Sequence, residues 1–516
     1  MKYPIGIQNF EEVRRGGYVY VDKTALIYKM ISEGKYYFLS RPRRFGKSLL
    51  LSTMEAYFQG KKDLFEGLAI ADRESEWKEY PILHLDLNSR EYKDENSLAE
   101  ELNRHLDSWE KVYGNEYRDR AAEERFLHVI NHAYEQTGKR VVILVDEYDK
   151  PLLQAIDNKP LQDAYRSKLK AFYSVLKTMD GKIRFAFLTG VTKFGKVSVF
   201  SDLNNLEDLT MLPAYSGICG ITELELRHYF DGSVQELAAA NGLPIDGCYG
   251  KLEEDYDGYH FSLGSERVYN PFSVLNTFKN KVFGDYWFET GTPSFLVEQL
   301  KKTDYLLENL TQDDLTADSL NSIDIMDENP LPLLYQSGYL TLRNYDPEFK
   351  LYRLGFPNRE VREGFVRYLV PYYVPKQKIG GSFFVREFVR EVRNGDAEGF
   401  MERLEAMFAG ESYLIQGDKE IYFHNAMSVI FMMLGFYVDA EYHTANGRMD
   451  LLIQTPNYIY IFELKINQSA DIALQQIEEK GYAKPFAADS RKLFKIGVNF
   501  STETRTIDDW KIVGRE

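Results

Sequence analysis

Four short apolar runs fix the first third of this chain: YYFLS (36–40), ILHLDL (82–87), VVILVDE (141–147) and RFAFLTG (184–190), separated by longer segments of helical spacing. Runs that are apolar on both faces bury both faces, and strands of that kind, alternating with helices, form a parallel sheet covered on both sides. The expectation is an α/β nucleotide-type fold.

The first run leads into SRPRRFGKSLLLS, Ser40 to Ser52. The stretch ends as a phosphate-binding loop ends, in Gly46-Lys47-Ser48, but Arg41 stands where G-x-x-x-x-G-K-[ST] has its first glycine. Strand, loop and helix start are the context such a motif needs, because unpaired N–H groups and the helix dipole attract phosphate there. Lys47 would then meet the β and γ phosphates and Ser48 a Mg²⁺ ion. On its own, G-K-S is equally consistent with a surface lysine opening a helix. The third run tips the balance: it ends in Asp146-Glu147, where an aspartate would hold the Mg²⁺ shell and the glutamate would polarise an attacking water. Arg41 denies the loop an easy positive-φ residue and predicts a less tight curve. Arg43 and Arg44 would touch phosphate, or else face the sheet edge or another domain. Thr189 or Thr192, after the fourth run, is placed to sense a γ-phosphate, or simply ends a strand.

At 516 residues the chain exceeds one core, and its composition, 44% hydrophobic and 28% charged, is that of a folded protein. Three domains are expected, over 1–221, 222–379 and 380–516. A net charge of −16 argues against bulk affinity for nucleic acid, so any such contact must be local. Cys219 and Cys248 alone build neither a disulfide framework nor a cysteine zinc site, which fits a reducing compartment. The start, MKYPIGIQNF, has no signal-peptide core, and the longest apolar run, AMSVIFMMLGFYV, is too short to span a bilayer. These features predict a cytoplasmic protein with no membrane partner.

In the middle third, a helix, a strand at 339–342, a turn at Asp346-Pro347, a strand at 351–354 and a further helix read as a winged-helix arrangement. Such a module packs against a nucleotide site in some ATPases and reads DNA in other proteins. Arg359, Arg362 and Arg367 with RYLVPYYVPKQK form the most basic and aromatic patch outside the loop; it contacts nucleic acid or is a solvated or inter-domain face. His260 reaches the nucleotide or packs. His128 and His132 have helical metal spacing, but no further ligand completes a zinc set.

The last third contains GRMDLLIQTPNYIYIFELKINQSADIALQQIEEKGYAKPF. A two-residue turn at Pro456-Asn457 would pair Asp450 with Glu463 across a hairpin, with Cβ atoms about 5 Å apart. Glu463 and Lys465 share a face of an otherwise apolar strand, a costly placement unless the charges are paired or bind metal. Two carboxylates also repel, by about 4 kcal/mol at about 4 Å and an effective dielectric of about 20. Asp450 and Glu463 are therefore expected to hold Mg²⁺ or Mn²⁺, whose bound water would attack a phosphodiester, with Lys465 orienting the water or stabilising charge. Ser469 can cap the next helix, where Gln476 and Lys480 lie one turn apart and can face the same site.

YVDKT (20–24), RPRRFGKSLL, LVDEYDKPL (144–152), TGVTKF (189–194), YDGYHF (256–261), YNPFSVLN (269–276) and WFETGTPSFL (287–296) occur in order, with the G-R-x-D and E-x-K pattern behind them. Together they resemble the bacterial AAA-ATPase-like proteins with a C-terminal PD-(D/E)XK nuclease domain, a family abundant in Bacteroidetes. The resemblance implies an α/β multidomain protein: a P-loop parallel sheet, a helical and winged-helix middle and a restriction-endonuclease-like end. It also implies that an arginine-rich loop without its first glycine is the usual form. Glu420 matches the position of the nuclease fold's first acidic residue as a metal ligand, with Glu441 as the competitor. The implied partners are ATP, Mg²⁺ and nucleic acid, with DNA favoured, and a homo-oligomer is compatible. The implied activity is ATP-controlled cleavage; the rival is a nucleotide-dependent switch or scaffold whose nuclease-like domain binds without cutting.

Overall fold

The computed structural model describes the whole chain except residues 195–199, 201, 202, 204, 290–295, 297, 298, 301, 322, 324–328, 374–381, 410–418, 443–449 and 516. The chain forms two compact units and threads between them. The first comprises Met1–Thr290 and Asp314–Glu360, the second Gly291–Asp313 and Val361–Glu516.

In the first unit the four apolar runs become Tyr36–Ser40 (β1), Ile82–Asp86 (β2), Val141–Asp146 (β3) and Ile183–Gly190 (β4). With the short Glu207–Asp208 (β5) they form one parallel sheet in the order β2-β3-β4-β1-β5. Burial follows position: every residue of the inner strands β1 and β3 is buried, whereas the edge strand β2 buries only alternate residues. Helices Lys47–Phe58, Glu95–Tyr113, Ala122–Thr137 and Lys159–Thr178 belong to the same unit.

Local sequence sets the helix starts beyond the sheet. Ile221–Thr222 (β6) pairs with Val268–Tyr269 (β7), and Thr222 with Glu225 forms a reciprocal cap on helix Glu223–Asn241. Asn270 caps helix Pro271–Asn280, whose first residue is the proline that needs no N–H there. These helices and Ile245–Tyr256 enclose a small core around Phe230, Leu252, Tyr256 and Phe278. The region expected to form a wing contains a three-stranded antiparallel sheet: Asp314–Thr316 (β8), Thr341–Asp346 (β9) and Leu351–Gly355 (β10) lie in the order β8-β10-β9. The first wing strand runs later than its apolar residues suggest, because the Asp346 carboxylate accepts the Glu348 and Phe349 N–H groups and fixes the turn beyond it.

The second unit carries a mixed sheet of Asp439–Tyr442 (β11), Leu451–Gln454 (β12), Tyr458–Ile466 (β13), Lys492–Ser501 (β14) and Thr506–Arg515 (β15), in that order. Only β13 and β14 run parallel, and helix Ala470–Lys480 makes the crossover between them. The run AMSVIFMMLGFYV ends helix Lys419–Leu434, whose Phe423 stacks on Phe500 of β14, so its apolarity serves a protein core. Among the described residues no helix is long and apolar enough to cross a membrane.

Gly497 of β14 lies opposite Glu463 and lets the crossover helix come close, since a Cβ there would stand 2.3 Å from the Ala470 carbonyl oxygen. Gly497→Ala should destabilise the protein by about 1–3 kcal/mol, read as a lower urea midpoint at an unchanged slope.

Candidate functional site

Two groups of charged side chains sit at strand ends, one in each unit. In the first unit, β1 delivers the chain into the arginine-rich loop and helix Lys47–Phe58 begins directly after it. No side chain caps that helix, so its first N–H groups are open to an anion, and Gly46 takes the left-handed conformation at φ 92°. Arg44 is the loop's other positive-φ residue and Arg41 is not one, so the missing first glycine is not a backbone requirement here.

The Lys47 ammonium is buried, donating to the Arg41 and Pro42 carbonyl oxygens at 3.1 and 3.3 Å and lying 3.4 Å from the Glu147 carboxylate. Ser48 Oγ donates to Asp146 Oδ2 at 2.6 Å, which brings together the loop hydroxyl and the β3 carboxylate expected to share a cation. Burial and then the Glu147 charge push Asp146 up to about 6, although Ser48 and Lys47 pull it down. A divalent cation suits that pair of hard oxygens. Glu147 holds a left-handed backbone, φ 50°, uncommon for a residue with a side chain and a mark of functional sites.

The arginines divide their tasks. Arg41, 1% exposed, donates to the carbonyls of Ser40, Thr210 and Tyr215 and lies 4.0 Å from the Phe261 ring centre; burial lowers its pKa to about 10. Arg43 and Arg44 are exposed, with Arg44 over Phe272 at 5.0 Å. The threonines differ as well. Asp149 accepts from the Thr192 hydroxyl and from the Val191 and Thr192 N–H groups, whereas Thr189 Oγ1 is buried with no hydrogen-bond partner among the described residues.

An apolar cleft adjoins the loop, lined by Val19, Val21, Phe45, Leu49, Ile221 and Leu275 among others. It could take a flat base beside the phosphates. Sequence reading missed it because its walls come from distant segments; YVDKT, RPRRFGKSLL and YNPFSVLN each supply part of it, but nothing in them says that they converge.

His260 is fixed through its backbone to Thr341, and burial lowers its pKa. His128 stacks on Tyr117 and His132 Nδ1 lies 3.1 Å from the Tyr113 carbonyl oxygen. The basic patch is engaged internally: Arg359 lies 3.7 Å from Glu254, Arg362 over Phe436, and Arg367 pairs with Glu363.

In the second unit the β12–β13 ladder pairs Leu451 with Phe462, and one residue further its register sets Asp450 opposite Glu463. The turn that fixes this register is closed by Thr455 N donating to Tyr458 O at 2.9 Å. Asp450 Oδ2 accepts the Leu464 N–H at 2.7 Å. Glu463 is 1% exposed; Lys465 Nζ reaches its Oε1 at 2.8 Å, and Oε2 is buried with no hydrogen-bond partner among the described residues. Burial, then the Glu463 charge, pushes Asp450 up to about 7, and burial also raises Glu463 against the pull of Lys465. A buried carboxylate oxygen without a donor, beside a second carboxylate, fits a divalent cation.

Around this pair, Ser469 caps the crossover helix, Lys480 is close enough to stabilise the Glu463 charge, and Gln476 bonds Tyr482, whose hydroxyl senses both carboxylates. Glu420 belongs to helix Lys419–Leu434 and the Glu441 backbone pairs with Leu452, but both side chains lie outside the described residues. Among the described residues no group of three His, Cys, Asp or Glu side chains could hold a metal. Glu308 is a site neighbour that sequence reading missed: its charge raises Asp450, and burial raises Glu308 itself to about 7. Its segment is held to helix Lys419–Leu434 by Asn425, which accepts the Leu307 N–H and donates to Tyr305 O, both at 2.8 Å. No local motif announces it.

Sheet order, loop and strand-end acids define a P-loop α/β fold joined to a restriction-endonuclease-like domain. Residues 4–200 match the family described as "Predicted AAA-ATPase", and residues 418–510 match the "PD-(D/E)XK nuclease superfamily". A protein of Azotobacter chroococcum mcd 1 described as "Uncharacterized protein in vnfD 5'region" is 36% identical, over 98% of each chain. The chain belongs to the AAA-ATPase-like family with a C-terminal PD-(D/E)XK nuclease domain.

A carboxyl whose pKa is higher folded than unfolded binds its proton more tightly in the folded state. The stability it contributes is complete below the unfolded value, near 4 for an aspartate, and is lost as the pH rises through the folded value, about 7 for Asp450. Metal-free protein should therefore lose stability relative to Asp450→Asn between about pH 4 and about pH 7. Thermal protection by Mg²⁺ or Mn²⁺ should grow over the same interval, because the ion competes with that proton, and should be weak in Asp450→Asn at every pH.

Proposed function

We propose that the protein is an ATPase whose nucleotide state controls a Mg²⁺-dependent nuclease acting on nucleic acid, with DNA as the favoured substrate. The observation that carries the nuclease half is the buried, unpartnered Glu463 oxygen of a carboxylate whose charge raises Asp450. In this reading 1–221 bind the nucleotide, 222–379 form a lid and winged-helix-like module, and 380–516 carry the cleavage site.

At the loop, Lys47 would exchange its bonds to the Arg41 and Pro42 carbonyls for phosphate oxygens, with the bare helix N-terminus as the second anion contact. Arg43 and Arg44 are exposed on the same loop and available to the phosphates. Ser48 and Asp146 would hold Mg²⁺, Glu147 would orient water, and the buried Thr189 hydroxyl would sense the γ-phosphate. The apolar cleft would take the base.

In the second unit Asp450 and Glu463, with Glu420 as a third ligand, would hold Mg²⁺ or Mn²⁺. When bound, the ion supplies Lewis acidity and lowers the pKa of a coordinated water. Lys465 fixes the orientation of Glu463 and presents a positive charge to the phosphodiester, and Gln476 braces Tyr482 beside both acids. Two buried thiols agree with a cytoplasmic setting.

A second reading, a nucleotide-dependent switch or scaffold that binds without cutting, draws on the lack of a three-ligand cluster among the described residues. Incubation of supercoiled plasmid, single-stranded DNA and RNA with Mg²⁺ or Mn²⁺, with and without ATP, separates the two. Cleavage should fall to background in Glu463→Ala and by about a hundredfold in Lys465→Ala, and its ATP dependence should disappear in Lys47→Ala. Cleavage that survives Glu463→Ala would sink the nuclease assignment. Folded, ATP-protected protein that cuts nothing would leave the scaffold.

A further inference from the structure

The chain leaves the first unit after Thr290 and again after Glu360, and both departures are tied to the phosphate loop by bonds within the first unit. Trp287, three residues before the first departure and 7% exposed, donates its indole Nε1–H to the Arg43 carbonyl oxygen of the loop at 3.1 Å. Its backbone N–H donates to the Glu360 carboxylate at 2.7 Å. Glu360, 3% exposed, also accepts the Ser273 hydroxyl, and it lies in the first turn of helix Arg359–Tyr373. That helix begins in the first unit and continues as part of the second. The next loop residue, Pro42, is met by Gly338, where a Cβ would stand 2.7 Å from the proline ring, and the neighbouring Tyr339 packs on Trp287 with ring centres 5.2 Å apart.

This is an unusual use of a loop carbonyl. Phosphate bound by Lys47 would draw its ammonium from the Arg41 and Pro42 carbonyls, and a shift of the loop backbone that accompanies this exchange would reach Arg43 O. A tryptophan N–H has one direction of donation and no acceptor capacity, so a shift of that carbonyl either drags the indole or breaks its bond. The indole and the backbone N–H of Trp287 join the Arg43 carbonyl to the Glu360 carboxylate, so a displacement of the residue as a whole reaches both.

We infer that Trp287 is the positioning residue that carries the state of the phosphate loop to helix Arg359–Tyr373 through Glu360. The inference rests on the nucleotide reading of the loop given above. It names a regulatory residue outside the loop, the strand-end acids and the cleavage site.

The full chain labelled with 5-fluorotryptophan has four tryptophans to resolve by ¹⁹F NMR, and Trp287→Phe assigns the signal that matters. Mg²⁺-ATP should shift the Trp287 signal in the wild type and leave it in place in Lys47→Ala. Hydrogen exchange of amides 361–373 should change with ATP in the wild type by about tenfold and stay unchanged by ATP in Trp287→Phe. The phenylalanine keeps a smaller aromatic ring and removes the donor, and Trp287 is not a phosphate contact, so ATP should still protect Trp287→Phe against heat. A Trp287 signal indifferent to bound ATP, or a Trp287→Phe variant whose helix responds as the wild type does, would overturn the inference while leaving ATP binding intact. If ATP gives the wild type no thermal protection, the nucleotide reading fails, and the inference falls with it.

Discussion

A guanidinium taken out of water must be met by acceptors, and the mouth of the phosphate loop is built around one. Arg41 is almost wholly buried and forms no salt bridge among the described residues; three carbonyls and the face of Phe261 receive it. Burial pulls its pKa to about 10, which still leaves it charged at neutral pH. Those bonds fasten the end of β1 to Thr210 and Tyr215 and set Phe261 against the same point. A glycine at 41 would offer rotational freedom and no cross-link. Because the positive φ angles fall at Arg44 and Gly46, the arginine costs the loop no backbone strain of its own. The loop's shape is thereby set from outside it, by the 210–215 segment, by Phe261 and by Trp287.

The two candidate sites share an electrostatic problem despite different folds. Asp146 and Asp450 both lie at the ends of buried strands, both have a second carboxylate nearby, and both accept hydrogen bonds, from Ser48 Oγ and the Glu147 N–H in one case and from the Leu464 N–H in the other. Burial is the leading cause of the raised pKa each time, and the neighbouring acid comes next. In each case a lysine pairs with the second carboxylate, Lys47 with Glu147 and Lys465 with Glu463, and also pulls the aspartate's pKa down, though by less than burial raises it. A divalent cation removes the remaining repulsion and satisfies the vacant lone pairs at once, which a third lysine would do less compactly.

The strands β1 to β4 were legible in the sequence because each is announced locally by an apolar run of strand length, and the Asp146-Glu147 pair because it directly ends one of those runs. The Asp450–Glu463 register was legible for a related reason: a Pro-Asn turn leaves one antiparallel alignment that keeps both strands buried. The fate of Arg41 was not legible, since nothing near residue 41 says that Thr210, Tyr215 and Phe261 will converge on it. Glu308 was hidden in the same way, its place near Asp450 depending on a clasp by Asn425 far along the chain. In general, what a residue does to its sequence neighbours could be read, and what it does to distant segments could not. The apolar cleft beside the loop, assembled from six separate stretches, belongs to the second kind.

The same distinction bears on how the halves of the chain work together. The second unit takes Gly291–Asp313 out of the middle of the first, so the chain is not two beads on one string. The segment that brings Glu308 toward Asp450 starts a few residues after Trp287, and helix Arg359–Tyr373 starts on the residue before Glu360. Both passages therefore leave from residues whose positions are fixed by the loop or by each other. Communication of this kind needs no surface between the units to form or break. It needs only that the two departures be stiff near their roots, which the burial of Trp287 and Glu360 supplies. A single flexible linker would carry no such information, because its conformational freedom would absorb any small displacement at its root. In the coupling inferred above, the departures near Trp287 and Glu360 would carry the state of the phosphate loop.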